Sequence, residues 1–276
     1  MEAQRILVTG STDGIGLETA AELGEMGHRV VVHGRSPEKA EAARRSVEGR
    51  IAAAGVREGS VDAVSGELAR LSDVDKMAAE VAERFPDLRV VVANAGVTTK
   101  QRQESADGYE LTFAVNHLAH FLLINRLVDT LRRNSPSRIV IVSSMVHRTG
   151  NINFDDLQLE HSFSGHAAYS QSKLANLVYA FELARRLEGT GTTVNALHPG
   201  VISTKLLHAN FSGGAPVSAG AKTPVYLATS PEVEGVTGEY FENRRTSESS
   251  PVGRDPEVAK RLWEVSEELV EAVLGT

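Results

Sequence analysis

The sequence predicts a single α/β domain over residues 1–276, with a doubly wound, mostly parallel sheet of about seven strands flanked by helices. Short apolar runs rich in Val and Ile recur along the chain without alternating polar residues, a pattern of strands that are buried on both faces. Most of these runs precede a helix-like segment, and this alternation favours parallel strands joined by right-handed crossovers. No linker rich in Pro, Ser or Gly divides the chain, so we expect one domain.

Six strands and their following helices are predicted from this pattern. The predicted strands are residues 5–8, 28–33, 61–64, 89–93, 138–142 and 192–197. The helix-like segments after the first five strands are residues 15–26, 37–54, 72–84, 109–133 and 167–187. An acidic segment with an apolar stripe, residues 257–271, is predicted to be a surface helix. Ligands of such folds bind beyond the carboxyl ends of the strands, so functional residues are expected there.

The composition argues against several classes of protein. The chain has 41% hydrophobic residues, too many for a disordered protein. Its 29 Lys and Arg against 36 Asp and Glu give a net charge of −7, which disfavours a nucleic acid partner. No apolar run reaches the length of a membrane span, so we expect no membrane partner. There is no Cys and no evident signal peptide, and we therefore expect a cytoplasmic protein without thiol chemistry.

A glycine-rich turn directly follows the first predicted strand. Gly10, Gly14 and Gly16 stand in this turn, immediately before the first helix. Glycine permits positive φ and close approach of a ligand to the backbone, and a helix N-terminus offers free N–H groups to a phosphate. The turn therefore indicates a dinucleotide pyrophosphate site, although a simple tight turn has the same composition.

The end of the second predicted strand indicates which dinucleotide binds. A site for NAD usually has a carboxylate there for the ribose hydroxyls. Here the strand runs into Gly34-Arg35-Ser36, without an acid. A guanidinium and a hydroxyl suit a 2′-phosphate, so Arg35 and Ser36 predict NADP (NADPH). The alternative is that Arg35 is a surface residue heading a helix, and Asp13 in the glycine turn is a contrary charge.

A tyrosine and a lysine four residues apart form the candidate acid–base pair. Tyr169 and Lys173 lie in the predicted helix 167–187, where residues i and i+4 share a face. No other of the five Tyr has a Lys at this spacing. A nearby ammonium stabilises a phenolate, so the pair predicts a lowered pKa for Tyr169 and general acid–base catalysis. A solvated surface pair is the alternative.

Together with further short motifs, these segments resemble the short-chain dehydrogenase/reductase family over essentially the whole chain. The motifs are the turn 9–16, Asn94-Ala95-Gly96, Val115-Asn116-His117, Ser143-Ser144, Tyr169…Lys173 and His198-Pro199-Gly200. Each motif follows a predicted strand or lies in a predicted helix. The resemblance implies a Rossmann-like fold and an oxidoreductase that interconverts a carbonyl and an alcohol with a nicotinamide cofactor.

The resemblance assigns catalytic roles to four residues. Tyr169 is implied to donate and accept the proton, and Lys173 to lower the pKa of Tyr169 and hydrogen-bond the nicotinamide ribose. Ser144 is implied to hydrogen-bond the substrate carbonyl. Asn116 is implied to interrupt its helix and hold a water that links Lys173 to solvent.

The resemblance also implies a set of cofactor contacts. Besides Tyr169 and Lys173, the set comprises Gly10, Ser11, Thr12, Asp13, Gly14, Ile15, Gly16, Arg35, Ser36, Glu67, Leu68, Asn94, Ala95, Gly96, Pro199, Gly200 and Thr204. Glu67 and Leu68 are implied to lie against the adenine, where the family commonly has Asp before an apolar residue. The last three residues of the set are implied to face the nicotinamide.

Within this family the chain is most similar to the retinol-dehydrogenase-like group. The likeness rests on residues 143–148, 153–157, 168–176, 197–201 and 261–264. The sequence shows no N-terminal apolar anchor of the membrane-bound members, so retinoid or membrane-associated substrates are not implied. Soluble bacterial relatives reduce diverse ketones and aldehydes, including aromatic polyketide ketones. We therefore expect a reductase with a fairly large apolar carbonyl substrate.

Several alternatives stay open at this point. Residues 203–221 combine Gly and Ser with Leu206, Leu207 and Phe211, which predicts a substrate lid or a loop without substrate contacts. The apolar stripe over 121–128 fits the core of one chain or a second subunit of a homo-oligomer. Cyclisation, dehydration or non-catalytic dinucleotide sensing are rival functions on this fold. The His spacings predict no metal site, and the absence of G-x-S-x-G disfavours hydrolysis.

Overall fold

A computed structural model describes residues 3–205 and 213–275 of the chain. Its strands are β1 Arg5–Val8, β2 Arg29–Gly34, β3 Ser60–Ser65, β4 Leu88–Ala93, β5 Ser137–Val142, β6 Thr192–His198, β7 Tyr240–Glu242 and β8 Arg245–Thr246. They form one eight-stranded sheet in the order β3-β2-β1-β4-β5-β6-β7-β8. The first seven pair in parallel, and β8 pairs antiparallel with β7. The predicted mostly parallel sheet is confirmed, with one strand more than predicted.

The six strands predicted from apolar runs are all present. The runs predict them because both faces of the sheet are covered. Ile6 and Val30 belong to the core on one face of the sheet, and their chain neighbours Leu7 and Val31 belong to the core on the other face. All four side chains are fully buried. Successive residues of a strand point to opposite faces, so burial of both faces removes the polar alternation.

Helices cover the two faces of the sheet. The helices are α1 Gly14–Glu25, α2 Pro37–Ala53, α3 Leu71–Arg84, α4 Leu111–Arg133, α5 Gly165–Arg186, α6 Val217–Thr229 and α7 Pro256–Leu274. α1, α2 and α6 supply residues to one core, whereas α3, α4, α5 and α7 supply the other. The predicted surface helix 257–271 is α7, but Leu262 and Trp263 of its apolar stripe are buried in the core.

Helix α6 overlaps the predicted lid, residues 203–221. It contains Gly220 and Pro224, which are residue types that usually interrupt helices. The sequence pattern therefore does not predict this helix. Residues 217–221 are therefore helical rather than irregular. The lid residues Leu206, Leu207 and Phe211 lie outside the described residues.

Helix α4 is long and apolar enough to cross a membrane by length and mean hydropathy, but 78% of its apolar window is buried within the described chain. Phe121, Leu123 and Leu127 are at most 3% exposed and belong to the core. Burial of these side chains within a single chain supports the core alternative for the stripe over 121–128.

Candidate active site

The carboxyl ends of β1, β4, β5 and β6 meet at one edge of the sheet, where the strand order reverses between β1 and β4. Such reversals leave a crevice that binds ligands in open α/β sheets. The glycine turn follows β1, Asn94 follows β4, Ser144 lies just beyond β5 and Pro199 follows β6. The structure therefore brings these sequence motifs to one edge.

The glycine turn has the close backbone packing that a phosphate cradle requires. Gly10 and Gly14 have φ of +63° and +54°, in the left-handed region. A Cβ at Gly10 would lie 2.8 Å from Cα of Ala95. A Cβ at Gly16 would overlap the carbonyl oxygen of Gly10 and the side-chain amide of Asn94. Side chains are thus excluded where the turn meets the crevice.

Helix α1 begins directly after this turn and leaves N–H groups free. Oδ1 of Asp13 caps the helix by accepting from the N–H of Gly14 at 2.8 Å. The N–H groups of Ile15 and Gly16 lie in the first turn and have no acceptor within the helix. These N–H groups can donate hydrogen bonds to a phosphate, and the positive end of the helix dipole also attracts a phosphate. The ammonium of Lys205 donates a hydrogen bond to the carboxylate of Asp13 and lowers the pKa of Asp13. The positive charge of Lys205 offsets the negative charge that Asp13 brings to the glycine turn.

Replacing Gly16 with alanine is expected to destabilise the protein by about 1–3 kcal/mol, because the new Cβ would overlap atoms with little room to move. Cofactor binding is expected to weaken as the turn widens. Gly49→Ala in α2 is the matched control, since nothing lies within 4 Å of its Cβ and alanine favours helix by about 1 kcal/mol. Urea unfolding measures both variants, and equal stability would contradict the packing described.

The side chain of Ser11, one of the predicted cofactor contacts, points into the interior of the protein. Its side chain is fully buried, donates to the carbonyl oxygen of Val8 at 2.9 Å and accepts from the N–H of His33 at 2.7 Å. Ser11 therefore ties β1 to β2. The next residue, Thr12, is partly exposed.

Arg35 and Ser36 follow β2 beside the glycine turn. A Cβ at Gly34 would lie 2.9 Å from Cγ2 of Thr12, so the two segments are in contact. Arg35 is exposed and makes no hydrogen bond or ion pair with any residue in 3–205 or 213–275. The hydroxyl of Ser36 caps α2 by accepting from the N–H of Lys39 at 3.4 Å. The guanidinium of Arg35 is thus available to an anion in the described chain.

Glu67 and Leu68 follow β3 on the same side of the crevice. Oε1 of Glu67 accepts from the N–H of Ala69 at 3.2 Å, and Glu67 remains partly exposed. The side chain of Leu68 is buried and packs in the core. The two predicted adenine contacts are therefore adjacent in sequence but differ in exposure.

Ser144, Tyr169 and Lys173 converge beyond β5. The hydroxyl of Ser144 lies close enough to the hydroxyl of Tyr169 to lower the pKa of that phenol. The ammonium of Lys173 lies 5.5 Å from the ring centroid of Tyr169 and donates to the carbonyl oxygen of Val142 at 3.0 Å. The hydroxyl of Ser143 donates to the carbonyl oxygen of Lys173 at 2.7 Å, which fixes α5 on β5. The structure thus brings together the three predicted side chains.

Burial changes the pKa of both members of the Tyr–Lys pair. It lowers the pKa of Lys173 to about 8. It raises the pKa of Tyr169 to about 12, an effect that the nearby hydroxyl of Ser144 partly offsets. The predicted lowered pKa of Tyr169 is therefore wrong, because desolvation of the buried phenol has the largest effect on it and Ser144 offsets only part of that effect. At neutral pH Tyr169 keeps its proton and Lys173 is mostly charged.

Asn116 lies in a π-helical turn, Ala114–Leu118, that interrupts α4. Its Oδ1 accepts from the N–H of Val97 at 2.8 Å, and its Nδ2 donates to the carbonyl oxygen of Val97 at 3.0 Å. Nδ2 also donates to the hydroxyl of Ser172 at 2.9 Å. The carbonyl oxygen of Asn116 accepts from Nδ1 of His120 at 3.0 Å. Asn116 therefore joins the segment after β4 to α5, the helix that contains Tyr169 and Lys173.

Sequence reasoning misses buried polar residues that hold this site in place. The hydroxyl of Thr9 accepts two backbone N–H groups from the segment after β4, at 2.9 and 3.0 Å. Nδ1 of His147 donates to the carbonyl oxygen of Ser144 at 2.7 Å, and its Nε2 accepts from the N–H of Ser250 at 3.1 Å. His33 makes a similar bridge at the glycine turn. Most of these contacts join distant segments, so local spacing carries no signal.

The segment after β6 carries the remaining predicted contacts. Pro199 and Gly200, the latter at φ +98°, turn the chain beyond the strand end. A Cβ at Gly14 would lie 3.4 Å from Cγ2 of Thr204. The described beginning of the segment 203–221 therefore rests against the glycine turn.

This edge of the sheet combines the glycine turn with the phenol of Tyr169 and the buried ammonium of Lys173. The bare glycine turn and the N–H groups of α1 fit a dinucleotide pyrophosphate. Within 3–205 and 213–275, no three His, Cys, Asp or Glu lie close enough to hold a metal ion. The fold and the site together define an oxidoreductase that uses a nicotinamide dinucleotide.

Comparison with known proteins identifies the family. Residues 4–213 match the short chain dehydrogenase family, and the chain belongs to it. Human retinol dehydrogenase 14 is 42% identical, over 98% of this chain and 87% of its own length. Human retinol dehydrogenase 13 is 38% identical, over 96% of this chain and 84% of its own length. The predicted resemblance to the retinol-dehydrogenase-like group is confirmed.

Two solved structures share this fold. A crystal structure of a protein from Mycobacterium paratuberculosis matches with a TM-score of 0.79 and 31% identity, over 97% of this chain and 93% of that chain. A short chain dehydrogenase/reductase family protein matches with a TM-score of 0.68 at 24% identity, over 87% of this chain and 96% of that chain. The second likeness supports the fold alone.

Proposed function

We propose that the chain is an NADPH-dependent reductase that converts a fairly large apolar aldehyde or ketone to the alcohol. The observation that carries the proposal is the convergence of Tyr169, Ser144 and Lys173 at the same edge of the sheet as the glycine turn. Reduction requires an acid in its protonated form, and the raised pKa of Tyr169 keeps its proton in place at neutral pH. Membership of the family supports the oxidoreductase class.

The side chains of the site have separate tasks in this reaction. A bound dihydronicotinamide supplies the hydride. As the carbonyl oxygen gains negative charge, the hydroxyl of Tyr169 transfers its proton to it, and Ser144 stabilises that charge with a hydrogen bond. The ammonium of Lys173 stabilises the tyrosinate that remains. Hydrogen bonds from His147 to Ser144 and from Lys173 to Val142 hold these groups in place beforehand.

The phosphate-selecting residue of the proposed cofactor site is Arg35. It is exposed at the end of β2, where an NAD site would have a carboxylate. Its guanidinium can bind a 2′-phosphate with charge-assisted hydrogen bonds. Ser36 caps α2 next to it, so a 2′-phosphate here would also meet the N-terminal end of that helix.

Replacing Arg35 with alanine is expected to raise the KM for NADPH by about 10- to 100-fold, since a charge-assisted hydrogen bond contributes about 1.5–3 kcal/mol. The KM for NADH is expected to change little, because NADH has no phosphate for the guanidinium. Initial rates with each cofactor measure both constants. Arg45→Ala is the control, because Arg45 is exposed on α2 and pairs with Glu41. Equal effects of Arg35→Ala on both cofactors would contradict the assignment.

Two exposed apolar side chains support an apolar substrate. Met145 directly follows Ser144 and is 45% exposed, and Val201 directly follows Gly200 and is 53% exposed. They follow the neighbouring strands β5 and β6, where apolar surface would contact a substrate at the catalytic hydroxyls. Because relatives are named retinol dehydrogenases, we propose retinaldehyde-like apolar aldehydes as the first substrate class and aromatic polyketide ketones as the second.

An NADPH-oxidation screen over retinaldehyde, aliphatic aldehydes, steroid ketones and polyketide ketones tests the proposal. The expected result is turnover with at least one large apolar carbonyl and recovery of its alcohol by chromatography. NADPH binding without any turnover would instead favour dinucleotide sensing. A cyclised or dehydrated product without NADPH oxidation would favour the rival chemistry on the same fold.

A further inference from the structure

The imidazole of His33 joins the glycine turn to the segment that follows β3. His33 is the fifth residue of β2 and is 2% exposed. Its Nδ1 accepts the N–H of Gly10 at 3.0 Å, and its Nε2 donates to the carbonyl oxygen of Gly66 at 2.9 Å. One buried side chain thus spans the ends of β1, β2 and β3.

The two hydrogen bonds fix the protonation state of this ring. The N–H of Gly10 can only donate, so Nδ1 carries no proton. The carbonyl oxygen of Gly66 can only accept, so Nε2 carries the proton. Burial also disfavours the imidazolium and lowers the pKa of His33 below its usual value. His33 is therefore a neutral ring whose two nitrogen atoms are both used by the backbone.

The backbone groups that His33 holds border the proposed adenosine part of the cofactor site. Gly10 begins the glycine turn, and Gly66 immediately precedes Glu67. Arg35, the proposed phosphate ligand, stands two residues after His33. The imidazole therefore connects the glycine turn to the segment at Glu67.

Other hydrogen bonds in this region each join only two strands. The hydroxyl of Ser11 accepts from the N–H of His33 and ties β1 to β2. The N–H of Gly66 donates to the carbonyl oxygen of Gly34 at 3.1 Å and ties β3 to β2. In the described part of the chain, His33 is the one side chain that hydrogen-bonds both Gly10 and Gly66.

We propose that His33 is a positioning residue for the adenosine and pyrophosphate part of NADPH, because it sets the width of the crevice between the glycine turn and Glu67. The inference rests on the proposed cofactor. His33 makes no hydrogen bond with Tyr169 or Lys173 within the described ranges. Its loss therefore weakens cofactor binding without slowing turnover at saturating NADPH.

The test compares the cofactor affinity of His33→Leu and wild type. Calorimetry with 2′-phospho-ADP-ribose, which has the adenosine and pyrophosphate but no nicotinamide, measures the Kd. Loss of two backbone hydrogen bonds is expected to raise this Kd and the KM for NADPH by about tenfold or more, with kcat at saturating NADPH unchanged. His33→Gln, whose amide can donate or accept, is expected to recover part of the affinity.

His28→Leu is the matched control, because His28 is buried at the opposite end of the same strand region. It is 2% exposed, and its Nδ1 accepts from the N–H of Gln4 at 3.1 Å. The variant is expected to lose stability but to bind the probe as wild type does. A folded His33→Leu protein with the wild-type Kd would overturn the proposal, as would equal weakening in His28→Leu.

Two further outcomes separate this inference from the proposed function. If wild type binds 2′-phospho-ADP-ribose but reduces no carbonyl, the reductase proposal fails and the comparison of His33 variants still decides the inference. If wild type does not bind the probe, both proposals fall. Should His33→Leu not fold, His33→Ala takes its place under the same criteria.

Discussion

Phenylalanine in place of Tyr169 is expected to lower kcat for carbonyl reduction by about 100- to 10,000-fold, the usual contribution of a positioned acid. Burial raises the pKa of Tyr169 to about 12, so the neutral phenol is the form that donates the proton. Phenylalanine keeps the buried ring but has no proton to give. The KM for NADPH is expected to change little, because the glycine turn is untouched. Steady-state rates at saturating NADPH measure the effect.

Tyr179→Phe is the control for this experiment. Tyr179 lies on the same helix, α5, is 2% exposed, and donates to Oδ1 of Asn125 at 3.4 Å. This hydroxyl is hydrogen-bonded outside the site, so the variant is expected to keep the wild-type kcat. A Tyr169→Phe protein that turns over as fast as Tyr179→Phe would refute the acid role.

Methionine in place of Lys173 is expected to lower kcat by about 100-fold. The ammonium of Lys173 lies 5.5 Å from the ring centroid of Tyr169. Opposite unit charges at a separation of this order attract each other by about 3 kcal/mol at an effective dielectric constant near 20, so the ammonium is expected to stabilise the tyrosinate. Methionine fills much of the same volume without the charge. Lys260→Met is the control, because Lys260 is exposed on α7 and pairs with Glu264 at 3.9 Å.

The pH profile gives this variant a second readout. Burial lowers the pKa of Lys173 to about 8, so its charge is present below that pH and is lost as the pH rises through it. Wild-type kcat for reduction is therefore expected to fall above pH 8, while Tyr169 stays protonated. The variant is expected to lack this alkaline limb. An unchanged limb in Lys173→Met would show that another group titrates there.

The sequence predicts the strands best where burial is double-sided. In β1 and β2 every apolar residue faces one of the two cores. An uninterrupted run of apolar residues therefore predicts each of these strands. β7 and β8 have only three and two residues, too few to show a pattern. The sequence does not predict α6, because the helix contains Pro224 and proline usually breaks a helix.

The candidate site is predictable where its groups are close in sequence. The i, i+4 spacing of Tyr169 and Lys173 places both on one face of α5, as the structure shows. Their pKa shifts are not predictable in this way, because they depend on burial by distant segments. His33 and Gly66 are 33 residues apart, so only the fold reveals their hydrogen bond.

In the proposed reaction, Tyr169 protonates the carbonyl oxygen as a hydride reaches the carbonyl carbon. The most direct measurement supplies NADPH deuterated at both C4 positions, together with the best carbonyl from the substrate screen, to wild type and Tyr169→Phe. Mass spectrometry then locates the label. We expect deuterium on the carbinol carbon with wild type and almost no alcohol with the variant. Alcohol without deuterium, or equal labelled yields from both proteins, would contradict it.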